Sequence, residues 1–436
     1  MDDFTLVKKV YFLGIGGIGV SAIARMFIHE GKSVFGSDTA PSEIIDELKK
    51  AGANIFIGQD MEHIPSDTDL VIYSIALDKF APEFMKQVRE KIRNVISYPE
   101  SLSVVSKNKF TIAICGTHGK TTTTAMVAKI LIDAGLDPTV VVGSILKDVK
   151  SNFIAGKSKY FVVEACEYCR SFLKINPTVI GITTIDDDHL DYYKDSNDIL
   201  LAFKEFVSKI PSEGAVVGNL NDKKIKEATE ASRSKIVNSE DFFDPNLSLK
   251  IPGEHNRKDA SVALAIADII GVPKEISIAS IKEFSGTWRR FEYKGETKNG
   301  VKIFDDYGHH PTEIETTLQG LNERFPKARK FIVYEPHQQN RMNNFFDDFV
   351  RVFKNSKIEK VVILPVHVVA GRDDKTGKSS RDLVEAINKS SDKALLANDY
   401  GEAIALISEK VRKGDIVLTM GATNVYEVGR KYLLEG

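Results

Sequence analysis

Cysteine and tryptophan are scarce in this sequence, with three Cys and one Trp among 436 residues. Cys115, Cys166 and Cys169 are too few for a disulfide framework. Cys166 and Cys169 stand as C-x-x-C, which offers two ligands of a zinc or redox site, and no second pair completes four. No run of about 18 apolar residues occurs, so membrane insertion is not expected. Met1-Asp2-Asp3-Phe4 is acidic and lacks the basic-then-apolar layout of a secretory leader. Charge of one sign is also missing. The 59 basic and 61 acidic residues leave −2, which argues against nucleic-acid binding as the main activity. What is present is core material: 42% hydrophobic and 28% charged residues, too apolar for a disordered chain. At about 150 residues per domain the length predicts two or three domains. The composition points to a soluble cytoplasmic enzyme built from several α/β domains.

Strand-like and helix-like patterns alternate along the chain. The run 7–13 feeds the glycine loop Gly14-Ile15-Gly16-Gly17-Ile18-Gly19, and a helical pattern follows. Further strands are expected at 33–36, 54–57 and 70–73. A second strand, 109–115, feeds Gly116-Thr117-His118-Gly119-Lys120-Thr121. Strands at 160–164 and 179–183 continue the pattern. A third α/β unit has strands at 301–304, 330–334, 361–364 and 416–419. This alternation predicts parallel sheets covered by helices. Two strand–glycine loop–helix openings imply two nucleotide-sized sites, with a boundary within 101–109.

Gly14, Gly16 and Gly19 match G-x-G-x-x-G, and Asp38 lies at the end of the next strand. Such a loop brings backbone close to a phosphate at a helix N-terminus, and Asp38 would accept a ribose hydroxyl. Read alone, this is a dinucleotide site or a glycine turn that merely packs strand on helix. The second loop is more specific. Its backbone would cradle phosphates, Lys120 would neutralise β/γ charge, and the Thr121 hydroxyl would meet Mg²⁺. The full P-loop pattern wants glycine at position 114, where Ile114 stands, so this is a shorter G-T-x-G-K-T loop. Glu164 ends a strand, and His189 follows three aspartates, 186–188. Together with the phosphate loop they suit a mixed oxygen–nitrogen cation site. Asp305-Asp306-Tyr307-Gly308-His309-His310-Pro311 reads as a substrate- and phosphate-orienting loop, with Arg289-Arg290 offering charge to a transferring phosphoryl group.

These runs, with Glu164-Ala165-Cys166-Glu167, Asp188-His189-Leu190-Asp191, Gly253-Glu254-His255-Asn256 and Asp306–Glu313, occur in an order and spacing that resembles the Mur ligases across essentially the whole chain. Those are ATP-dependent amide-bond-forming enzymes of peptidoglycan precursor synthesis. The likeness is greatest to members that add L-alanine to UDP-N-acetylmuramate. The alternative is a recycling member that attaches a preformed peptide. The resemblance implies an α/β chain of three domains. Residues 1–106 would form a Rossmann-like domain binding the UDP substrate. Residues 107–292 would form a central P-loop ATPase-type domain. Residues 293–436 would form a Rossmann-like domain that brings the amino acid. It reassigns the first loop to uridine diphosphate, through Gly14, Gly16, Gly17, Gly19, Ser37 and Asp38. ATP would meet Gly116, Thr117, His118, Gly119, Lys120, Thr121 and Thr122, with His255 and Asn256 near the adenine. Thr121, Glu164 and His189 would hold Mg²⁺ or Mn²⁺. Lys120 and Arg289 would stabilise charge. Asp306 and His309 would orient the amine and γ-phosphate. Tyr307, His309, His337 and Arg341 would line the amino-acid side.

Three places depart from the family pattern. P-H-R-x-x-R appears as Pro336-His337-Gln338-Gln339-Asn340-Arg341, which removes one positive charge. H-N-x-x-N ends in Asp259, which accepts but does not donate. Arg372-Asp373-Asp374-Lys375 stands where the family often has a shorter acidic turn.

Overall fold

Strands rich in Val, Ile and Phe that alternate with helices must bury both of their faces, and a parallel sheet covered by helices does so. The structure, a computed structural model, describes residues 3–369 and 376–435. The run Arg372–Lys375 lies outside the described residues. Contacts divide the chain into two compact units. Met1–Asp187, Asp195–Asn246 and Lys258–Phe284 form the first; Asp188–Lys194, Leu247–Arg257 and Ser285–Gly436 form the second. No helix among the described residues is long and apolar enough to cross a membrane.

The first unit holds two sheets. β1 (Lys9–Leu13), β2 (Ser33–Asp38), β3 (Asn54–Ile57), β4 (Leu70–Tyr73) and β5 (Val95–Ser97) are all parallel, in the order β3-β2-β1-β4-β5. The second sheet comprises β6 (Phe110–Cys115), β7 (Thr139–Leu146), β8 (Ser151–Ile154), β9 (Tyr160–Glu164), β10 (Val179–Ile182), β11 (Ala215–Gly218) and β12 (Lys235–Asn238), in the order β12-β11-β10-β6-β9-β7-β8. Only the β7–β8 pair in it is antiparallel. Helix Tyr98–Ser106 joins the two sheets and starts from a capping box of Ser97 and Glu100. Asn152 on β8 donates to the Ile18 carbonyl at 2.5 Å and to the Ser21 hydroxyl at 2.9 Å, which fastens helix Ile18–His29 to the edge of the second sheet.

The second unit holds the third sheet: β13 (Glu292–Glu296), β14 (Lys302–Asp306), β15 (Lys330–Tyr334), β16 (Lys360–Ile363), β17 (Ala394–Leu396) and β18 (Ile416–Met420), in the order β13-β14-β18-β15-β16-β17. Only β13 runs antiparallel, against β14. The two-residue period of a strand explains its two cores. Ile332 and Tyr334 of β15 pack on one face with Leu318, Phe349 and Leu383, while Phe331 and Val333 pack on the other with Ala403, Ile407 and Val428.

Candidate active site

Both glycine loops sit at carboxyl ends of central strands, where α/β sheets place their ligands. In the first loop, the Gly14 and Ile15 amides donate to the Ser37 carbonyl at 2.9 and 3.1 Å. The Gly16 amide donates to Asp38 at 2.8 Å, and the Thr39 amide donates to its other oxygen at 2.7 Å. Asp38 therefore braces the loop from β2. The Ser37 hydroxyl donates to Gln59 at 2.9 Å. Helix Ile18–His29 starts from Gly17 without a side-chain cap or an acidic residue in its first turn, which leaves its amides suited to an anion. A Cβ on Gly19 would come within 2.6 Å of the Tyr98 ring, so only glycine fits there.

In the second loop, the Thr117 amide donates to the Thr184 carbonyl at 2.8 Å and the His118 amide to the Thr184 hydroxyl at 2.9 Å. Gly119 takes φ +81° to begin helix Lys120–Asp133, again with no side-chain cap and no acidic first turn. A Cβ there would also strike the Asp259 carboxylate. Asp259, the departure near the expected adenine contact, thus lies against the phosphate loop. Lys120 donates to the carbonyls of Gly116 at 2.6 Å and Thr117 at 3.0 Å, and pairs with Glu167 at 2.9 Å. Burial works against the charged lysine, but Glu167, with Cys166 and Glu164 behind it, outweighs burial and raises its pKa. The Thr121 hydroxyl reaches both Glu164 oxygens at 3.0 and 3.1 Å, and the Gly143 amide donates to Glu164 at 2.7 Å. Thr122 is buried in the same turn. Cys166 is exposed and Cys169 half-buried, and both are free thiols.

His189 belongs to the second unit, as do His255 and Asn256. The Asn256 side chain donates to the Pro252 carbonyl at 2.6 Å and is buried. His189 adopts φ +56° beside Asp188. Asp188 pairs with Arg341 at 2.9 Å, both nearly buried. Burial pushes Asp188 up, yet Arg341 and the neighbouring imidazoles of His189, His310 and His309 hold it well below the usual carboxylate range. The His309 ring meets Tyr307 at 5.6 Å and His337 at 5.9 Å, both edge-on. His309 Nδ1 lies 3.1 Å from the Tyr307 carbonyl, an acceptor, so that nitrogen carries the proton. Tyr307, His309, His337 and Arg341 are thus brought together, as expected. His310 instead caps helix Pro311–Arg324, accepting from the Thr312 amide.

Three expected roles change on this geometry. Arg289 is 3% exposed, and its guanidinium donates to Asp305 at 2.7 Å, to the Thr423 carbonyl at 2.6 Å and to the Gly421 carbonyl at 2.7 Å. All of these acceptors lie in the interior of the second unit. Asp306 accepts from the Phe291 and Gly308 amides, each at 2.8 Å, and so braces the turn in which Arg289 and Phe291 hold positive φ. Burial raises its pKa to about 6, against Arg290 and those amides. Arg341 is committed to Asp188 and to the His337 carbonyl, at 3.1 Å. The sequence reading missed Glu167 as the partner of Lys120, and Asp188 as the partner of Arg341. Glu167, three residues past the strand end that presents Glu164, carried a local signal. Asp188 carried none.

Comparison with known proteins bears on the family. Residues 9–110 match the model of the Mur ligase family catalytic domain, 114–242 the Mur ligase middle domain, and 289–423 the Mur ligase glutamate ligase domain. The chain is 36% identical to a UDP-N-acetylmuramate–L-alanine ligase of Clostridium perfringens over 98% of each chain. It is 37% identical to that of Clostridium acetobutylicum, over 98% of this chain and 97% of the relative. In fold it resembles the crystal structure of a UDP-N-acetylmuramate–alanine ligase from Thermotoga maritima, with a TM-score of 0.82 and 24% identity over 98% of both chains. A murein peptide ligase from Psychrobacter arcticus gives a TM-score of 0.73 and 24% identity at the same coverage. Three family domains in register with three α/β sheets, and relatives alike from end to end, lead to one conclusion: this chain belongs to the Mur ligase family.

Proposed function

We propose that this chain joins L-alanine to the carboxylate of UDP-N-acetylmuramate with cleavage of ATP, a step of peptidoglycan precursor synthesis carried out in the cytoplasm. The observation that carries the reaction class is the second glycine loop. There Lys120 is held over the loop carbonyls and the Thr121 hydroxyl meets the Glu164 carboxylate beside an uncapped helix start. The substrates come from the names of the relatives that match over nearly the whole chain. In this reading 1–106 binds the UDP portion through Gly14–Gly19, Ser37 and Asp38, 107–292 binds ATP, and 293–436 brings the amino acid.

A carboxylate is a poor electrophile, so it first takes the γ-phosphoryl group of ATP, giving an acyl phosphate and releasing ADP. The alanine amine then attacks and phosphate leaves. Lys120 supplies charge to the phosphates, and Glu167 holds it in position. The hydroxyl of Thr121 and the carboxylate of Glu164 are oxygen donors suited to Mg²⁺ or Mn²⁺, which when bound supplies further positive charge against the phosphates. Arg289 is committed to the interior, and Arg290, whose side chain is 28% exposed, faces Glu313 at 3.8 Å and lies over the Tyr307 ring. His309, protonated on Nδ1, offers the Nε2 lone pair to orient the amine.

Phosphate release from ATP by the full chain, with UDP-N-acetylmuramate and a panel of L-alanine, glycine, L-serine and a tripeptide, tests the reading. L-alanine should give the highest kcat/KM, with modest discrimination against glycine, because a methyl group contributes roughly 1 kcal/mol. A preferred tripeptide would move the chain to the recycling reaction. Lys120→Ala should lower turnover at least about a hundredfold with the fold intact. Near-parental turnover in that variant would sink the phosphate-loop assignment.

A further inference from the structure

Beyond the carboxyl ends of β15, β16 and β17 the second unit contains a cavity of about 610 Å³. That lies within the roughly 300–1,000 Å³ range of small-molecule sites. Its lining includes none of Tyr307, His309, His337 and Arg341. We infer that this cavity is a second ligand site, which takes a protonated primary amine on a short aliphatic body, with Glu335 as its counter-charge.

The argument starts from Glu335, which follows β15, lines the cavity and is 9% exposed. One oxygen, Oε2, accepts from the Tyr400 hydroxyl at 2.8 Å and from the Thr423 hydroxyl. Both donors are neutral, and Glu335 has no ion pair among the described residues. Arg289, whose charge is felt at Tyr400, is already committed to Asp305 and to the carbonyls of Gly421 and Thr423. A carboxylate this buried is costly without a cation, and the open side from which a cation can approach is the cavity.

The rest of the lining fits the same ligand. Among the described lining residues there is no lysine or arginine, while Asp399 adds a second carboxylate. Asp399 accepts from the Glu402 amide at 2.9 Å and so quenches the positive end of helix Tyr400–Ser408, which would otherwise favour an anion. Leu364, Val366 and Val368 supply an apolar wall for an aliphatic body. An ammonium group at Glu335 and methylenes along that wall satisfy both halves of the lining.

Calorimetric titration of the full chain with n-butylammonium chloride, with butanol and sodium butyrate as isosteric controls, tests the assignment without reference to ligase activity. Butylammonium should bind at least about tenfold more tightly than butanol, a difference of one charge-assisted contact, and butyrate should not bind. Glu335→Gln keeps an acceptor for Tyr400 and Thr423. It should weaken butylammonium at least about tenfold and leave butanol unchanged, with partial recovery in Glu335→Asp. Should Glu335→Gln misfold, Tyr400→Phe removes one neutral donor and should leave butylammonium binding unchanged or tighter. Equal binding of butylammonium and butanol, undiminished binding to Glu335→Gln, weaker binding to Tyr400→Phe, or displacement by L-alanine would each overturn the inference.

Discussion

At the scale of the residue, burial sets the protonation of the groups around the third sheet. It lowers His309 from 6.5 to about 4, against the pull of Glu313. Between those values the unfolded chain binds a proton that the folded chain refuses. The contribution of His309 to stability is therefore complete above about pH 6.5 and is lost as pH falls toward 4. Asp306 acts in the opposite sense. Burial raises it from 3.8 to about 6, so its contribution is present below 3.8 and is lost as pH rises through 6. The two oppose one another over one window, and removing either exposes the other. In His309→Asn, stability relative to the parent should rise by about 2 kcal/mol between pH 7 and pH 5, read from urea midpoints at each pH. A difference that does not vary with pH would show that His309 is not held neutral. Arg341 and Asp188 make a second residue-scale case. Arg341→Ala strands the buried Asp188 carboxylate, which costs roughly 3–5 kcal/mol, and Asp188→Asn in the same background should recover part of it. A parental urea midpoint for Arg341→Ala would contradict the buried pair. A changed alanine KM in Arg341→Ala is interpretable only beside that stability measurement.

At the scale of the element, the phosphate loop depends on one backbone angle and one close approach. Gly119 stands at φ +81° and meets Asp259, whereas Gly135 stands at φ +71° with open space around its Cα. Gly135→Ala should therefore show strain alone, about 1 kcal/mol, with turnover intact. Gly119→Ala should destabilise further and also lose ATP-dependent turnover, because the carboxylate of Asp259 must move. Equal behaviour of the two variants would mean that Asp259 does not crowd the loop. The elements most legible in the sequence are the buried strands. β9 and β15 fall where their apolar runs predict, and β1, β6, β10 and β18 within a few residues. β13 (Glu292–Glu296) went unread because Glu-Tyr-Lys-Gly-Glu has no apolar alternation; it is an edge strand held by its antiparallel partner. β7 and β8 went unread because Gly143 and the turn at 147–150 interrupt their pattern, while pairing with β9 secures them.

At the scale of the whole molecule, an ATP analogue with Mg²⁺ should stabilise the chain by mass action, about 2.7 kcal/mol at a hundredfold excess over its Kd. Hydrogen exchange should then slow at the amides of 116–122 and around Glu164. Slowing confined to 14–19 would place the nucleotide in the first loop instead. The sequence by itself determined the three α/β sheets, the two phosphate-type loops and the family, since these are written in contiguous runs whose periodicity and glycine spacing act locally. Only the tertiary structure decided which charges remain available. Arg289 meets the carbonyls of Gly421 and Thr423, more than 130 residues away, and Arg341 meets Asp188 at a separation of 153. Residues 188–194 and 247–257 pack with the C-terminal unit although they lie amid the central segment. No local spacing encodes such pairings. They arise when sheets and helices bring distant residues into a common low-dielectric interior, where each buried charge must find a partner.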